Sequence, residues 1–154
     1  MLTSSGRLDE PGQRERLLGS VAHEFFHAWN AERIRPRSLE PFDFTDANIL
    51  GDLWLAEGFT NYYGKLVTIR AGLRSLSGML QELGTTLDTG IASPGRQLNS
   101  AVEIGRLAPF TDAGTAIDRT NFDNTYISYY TWGEAIALGL DLTLRVRTHG
   151  PGAP

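Results

Sequence analysis

Two histidines four residues apart, His23 and His27, fall in a segment whose apolar residues recur at helical intervals, and that pairing restricts this chain more than any other feature. From Gln13 to Ile34 the residues Leu17, Leu18, Val21, Phe25, Ala28 and Trp29 follow spacings of three and four, which predicts a helix. On a helix, positions four apart lie about 40° from one another and about 6 Å along the axis. Two imidazoles placed in this way reach one cation from the same face. The run His23-Glu24-Phe25-Phe26-His27 is an H-E-x-x-H pattern, in which both rings ligate zinc through nitrogen at about 2.0–2.1 Å. Glu24 sits beside that face, too short to share the ion and well placed to act as a general base on water. A chance match in a chain of this size is on the order of 1%.

A hydrolytic zinc site needs a third protein ligand and one open position. The chain has no cysteine, so thiolate ligation, disulfides and Cys nucleophiles are excluded. A metzincin would place Gly and His three and six residues after the second histidine; Asn30 and Arg33 stand there instead. The remaining histidine, His149, lies in the tail THGPGAP and reads as solvated. A carboxylate is therefore required. Glu57, thirty residues after His27 and set among Trp54, Leu55 and Phe59, is the candidate. Asn61 follows it by four, on the same helical face, and is the candidate for orienting a ligating histidine. Asp43 and Asp46 in the intervening loop are alternatives for that task, with a solvated surface role equally open.

The rest of the chain reads as helices and loops. Pro36 ends the first helix, and the Pro-, Asp- and Asn-bearing stretch to Asn48 predicts an irregular loop. A second helix is expected from Ile49 to Arg70 with Gly72 as its stop. A leucine stripe (Leu73, Leu76, Leu80, Leu83, Leu87) marks a third, ending at Gly90. Ser93-Pro94 reads as a cap for a shorter fourth helix near Gln97 to Leu107. A polar loop, Ala108 to Asn124, precedes a last helix from about Thr125 to Arg147, with Ile127, Tyr130, Ala137, Leu138, Leu142 and Val146 on or near its buried side. No segment alternates with period two. The fold class is mostly α: one helical domain over residues 1–147 and a flexible tail over residues 148–154.

Composition narrows the partners. At 41% hydrophobic and 21% charged residues the chain is globular in type, and a net charge of −4 lacks the field that holds polyphosphate. Arg33, Arg35 and Arg37 form its only basic cluster, so no nucleic-acid partner is expected. No apolar run approaches the roughly 18–20 residues of a membrane span, and the first ten residues lack a signal peptide's apolar core. No membrane partner is expected, and a bacterial cytoplasm is the expected compartment.

The stretches HEFFHAWNAERIRP, PFDFT, LWLAEGFTNYYGKLVTIRAGL and ISYYTWGEAIALGLDLTLR together resemble the catalytic core of the glycyl-aminopeptidase family of gluzincin metallopeptidases, family sixty-one. The likeness runs from about Gly19 to Arg147. The aminopeptidase N-type gluzincins resemble the same pattern with a shorter spacer before the Glu. The resemblance implies His23, His27 and Glu57 as zinc ligands and Glu24 as the base. It also implies an oxyanion-binding tyrosine three residues before Gly133, which is Tyr130, with Tyr129 beside it as the alternative. It implies the helical C-terminal-lobe type of subdomain of a thermolysin-like peptidase, truncated at both ends, since family members carry a β-rich region upstream and often a PDZ-like domain downstream. The chain departs from the family at Trp132, where a Lys is usual. The implied activity is zinc-dependent aminopeptidase cleavage after small N-terminal residues such as Gly or Ala. A thermolysin-like endopeptidase and a non-catalytic zinc-binding helical fragment are the alternatives.

Overall fold

The computed structural model describes residues 6–111, 121–148 and 150. Among them there is no strand, only an isolated bridge between Asn30 and Ile34, so the mostly helical expectation holds. Among the described residues seven helices follow one another: α1 (Pro11–Phe26), α2 (Phe59–Arg70), α3 (Leu76–Ala92), α4 (Ala101–Arg106), α5 (Ala108–Thr111), α6 (Phe122–Thr125) and α7 (Tyr129–Thr148). A π-helical turn, Trp54–Gly58, runs directly into α2, and 3-10 turns occupy Arg37–Leu39 and Pro94–Gln97. No helix among the described residues is long and apolar enough to cross a membrane. His149 and most of the 148–154 tail lie outside the described residues.

Proline in the first turn starts α1, its fixed φ being already helical. The helix stops at Phe26, well short of the expected Ile34. Ala28 to Ile34 instead form a reversal in which Ala31 adopts φ 104° and the Ile34 amide donates to the Trp29 carbonyl at 2.8 Å. The reason is tertiary. Asn30 is buried against the π turn, whereas Val21, Phe25 and Trp29 are exposed, so the apolar stripe gains no burial that would extend the helix.

The second helical segment begins at the π turn and not at Ile49; the carbonyl of Asp52 accepts from the amides of Leu55 and Ala56 at 2.9 and 3.0 Å and so starts it. Gly72, at φ 69°, closes α2 in the left-handed conformation that glycine adopts without steric cost. Ser75 caps α3 by accepting from the Gly78 amide. The buried face of α3 is Met79, Leu83, Thr86 and Gly90, while Leu76 and Leu80 of the predicted stripe are exposed. Small and polar residues at 86 and 90 let α7 lie close, which a stripe of leucines would prevent. Ser93-Pro94 opens only a 3-10 turn. The cap of α4 is Ser100, joined to Glu103 in a reciprocal capping box. Part of the expected 108–124 loop is helical, as α5 and α6.

Among the described residues the core has two clusters. Tyr62, Met79, Leu83 and Ala137 join α2, α3 and α7; Ile104, Ala108, Ile127 and Tyr129 join α4 and α5 to the start of α7. The last helix thus stands between them, though Leu142 and Val146 on its far turns are exposed, contrary to expectation. Backbone meets backbone where α7 crosses the π turn. A Cβ built on Gly133 would lie 2.0 Å from the Trp54 carbonyl oxygen, and one on Gly58 would lie 2.3 Å from the Gly133 Cα. Only glycine permits that crossing, and it brings the first turn of α7 over Glu57.

Candidate metal centre and active site

His23 lies in the last turn of α1 and His27 caps it. Their Nε2 atoms are 3.1 Å apart. Glu57, in the π turn, places Oε2 3.1 Å from the His23 Nε2 and 3.4 Å from the His27 Nε2. The three residues are part-buried and form a group able to hold a metal ion. A tetrahedral ion with donors at about 2.0–2.1 Å requires about 3.3–3.4 Å between donors. The observed triangle has that size, so these residues fit a zinc-type centre.

The surroundings say which atoms face inward. His23 Nδ1 lies 2.8 Å from Asn61 Oδ1, the contact that the four-residue spacing from Glu57 suggested. His27 Nδ1 lies 2.9 Å from the carbonyl oxygen of Asn30. Both partners are acceptors, so each Nδ1 carries the hydrogen and each Nε2 of a neutral ring presents a lone pair. Two such nitrogens and a carboxylate oxygen then converge with no hydrogen between them, an arrangement that demands a cation or a proton.

The titration of the pair reflects the same demand. Burial works against the charge of His23, but the hydrogen bond and charge of Glu57, aided by Asn61 and Glu24, outweigh it and raise the imidazole above its ordinary value. Burial likewise disfavours the Glu57 carboxylate, yet the hydrogen bond from His23, the charges of His27 and His23 and a hydrogen bond from Tyr130 hold it below the ordinary range.

Glu24 is exposed and, with His23 and Tyr130, lines a cleft of about 550 Å³. The Tyr130 ring lies 6.1 Å from that of His23. Tyr129, stacked on Tyr130 at 4.8 Å, is buried in the core. Of the two tyrosines, Tyr130 is therefore the one on the site. Asp43 bonds within its own exposed loop, to Thr45 and Asn48, and Asp46 caps the Ala47 amide; neither orients a histidine.

Two features escaped the sequence reading. Lys65, the chain's one lysine, lines the cleft and pairs with the buried Glu134 at 2.6 Å, while Glu134 also accepts from the Thr86 hydroxyl at 3.1 Å. An acid directly before the apolar run AIAL of the last helix, opposed by a solitary lysine, was the available signal, because a buried carboxylate requires a partner. The second is Asn30, which donates from Nδ2 to the carbonyls of Leu55 and Ala56 and to the Thr60 hydroxyl.

Fold and site together define a helical module built around a three-donor cation pocket at the edge of a cleft. The sequence model of the M61 glycyl aminopeptidases matches residues 16–136, and the chain belongs to that family. It is also similar to the solved structure of an aminopeptidase N family protein from Idiomarina loihiensis, at 29% identity and a TM-score of 0.81, over 96% of this chain and 25% of that one. The chain thus spans about a quarter of that protein's length. No curated protein matches it.

Proposed function

We propose that this chain carries the centre of a zinc-dependent aminopeptidase acting on peptides with small N-terminal residues, Gly or Ala. The observation that carries the reading is the triangle of His23, His27 and Glu57 donor atoms with edges of 3.1 to 3.4 Å. Those three side chains would hold the ion. When bound, zinc supplies a Lewis acid that polarises the scissile carbonyl and acidifies water.

Glu24 stands on the cleft wall one residue from His23, where its carboxylate takes a proton from the attacking water and passes it to the leaving amine. Tyr130 offers a neutral hydroxyl beside His23, suited to donate to the oxyanion of the tetrahedral adduct. Asn61 and the Asn30 carbonyl hold the two rings in the tautomer the site requires. The preference for Gly or Ala rests on family membership.

The test combines metal analysis with turnover. One zinc per chain, lost in His23→Ala, and hydrolysis of Gly- and Ala-anilides, abolished in Glu24→Gln, are expected. Cleavage of N-acetylated peptides as fast as free ones would make it an endopeptidase. Zinc bound without turnover of any of these substrates would leave a metal-binding module.

A further inference from the structure

We infer that Asn30 is a positioning residue that locks two of the three donors at once. This rests on the metal-centre reading above and extends it to a residue with no contact to the ion.

Asn30 is buried, and both its side-chain amide nitrogen and its backbone carbonyl are engaged. Its Nδ2 donates to the Leu55 carbonyl at 2.8 Å, the Ala56 carbonyl at 3.1 Å and the Thr60 hydroxyl oxygen at 3.1 Å. Thr60, itself fully buried, donates its hydroxyl to the same Ala56 carbonyl at 2.6 Å. Leu55 and Ala56 are the two residues immediately before Glu57, inside the π turn. Such a turn replaces the i→i+4 pattern with i→i+5 bonds over a single turn. Without Asn30 the Leu55 carbonyl would lose this donor, at a desolvation cost of about 1–3 kcal/mol, and the Ala56 carbonyl would keep only the Thr60 hydroxyl. One primary amide, with two hydrogens in one plane, serves both carbonyls. Asp offers no donor and Ser offers one.

The other end of the residue acts on α1. The Asn30 carbonyl accepts from His27 Nδ1 at 2.9 Å, and the next residue, Ala31, takes the positive φ that turns the chain away. The side chain anchors residue 30 to the π turn, and the backbone of the same residue fixes the His27 ring. The Glu57 carboxylate and the His27 imidazole are thereby held in register by one side chain, across the gap between α1 and α2.

The experiment measures zinc affinity of the purified chain by competition with a chromophoric chelator, for wild type, Asn30→Ala, Glu57→Gln and the double variant. Asn30→Ala is expected to weaken zinc binding about 10–100-fold, the range for lost supporting contacts. In the Glu57→Gln background the same change is expected to weaken it by a smaller factor, because one of the two donors it positions is already impaired. Equal affinity of Asn30→Ala and wild type, or the same loss in both backgrounds, overturns the assignment and leaves the metal centre intact. A wild-type chain that binds no zinc overturns the metal centre and this assignment with it. Far-UV circular dichroism reports whether Asn30→Ala keeps its helices. If it does not, Asn30→Ser, which retains one donor, is carried through the same cycle with a smaller loss expected.

Discussion

The His23 and His27 rings differ in how they are held, and the difference sets what each substitution should do. Asn61 orients His23 through a side chain, so Asn61→Ala removes the acceptor and is expected to weaken zinc binding by about 10–100-fold with the helices retained. Isothermal titration checks it. The charges of the same cluster predict the pH behaviour of the chelator-treated chain. Glu57 has a folded pKa below its ordinary 4.5, so its contribution is present above that value and is lost as pH falls through the folded pKa. His23 has a folded pKa above its ordinary 6.5, so its contribution is present below that value and is lost as pH rises through the folded pKa. Metal-free stability should therefore peak between about pH 4.5 and 6.5 and fall on either side, and urea midpoints measured from below to above that range test it. In His23→Asn the fall on the alkaline side should vanish.

Among the elements, the crossing of α7 over the π turn is the least tolerant. With a Gly133 Cβ placed 2.0 Å from the Trp54 carbonyl oxygen, Gly133→Ala forces the helices apart. The expected cost is about 1–3 kcal/mol or more, read as a lowered urea midpoint. Anilide turnover should fall further than stability alone explains, because Tyr130 stands one turn before the crossing. Gly139→Ala on the same helix meets nothing within 4 Å and serves as the control, expected to be neutral or slightly stabilising. The Ser100–Glu103 capping box gives a milder case: Ser100→Ala should lower stability by about 1 kcal/mol with turnover of folded protein unchanged.

For the molecule as a whole, stability is concentrated in few residues. Ile104 is fully buried and belongs to the cluster under Tyr129, so Ile104→Ala should cost about 2–5 kcal/mol in chemical denaturation. Val146→Ser, at a position 73% exposed, should stay within about 0.5 kcal/mol of wild type. Both residues are β-branched and apolar, and only the packing of α7 against its neighbours separates them. The same packing explains why Leu76, Leu80 and Leu142 sit outside the core while Thr60, Thr68, Thr86 and Glu134 sit inside it. The polar groups at Thr60, Thr86 and Glu134 are satisfied by specific partners in other turns or helices, which no periodicity reveals.

Local spacing alone determined that this chain is helical and that His23 and His27 share a helical face, because both are properties of 3.6 residues per turn. Ligand arithmetic pointed to Glu57 among its apolar neighbours, and family likeness supplied Tyr130. Tertiary contact decided the rest: where α1 stops, that Glu57 rides on a π turn, that Asn30 bridges it to His27, and that two glycines let α7 bring Tyr130 to the site. These depend on which backbone groups lack a hydrogen-bond partner once the helices are packed, and residues far apart in the chain meet that need only after packing has placed them side by side.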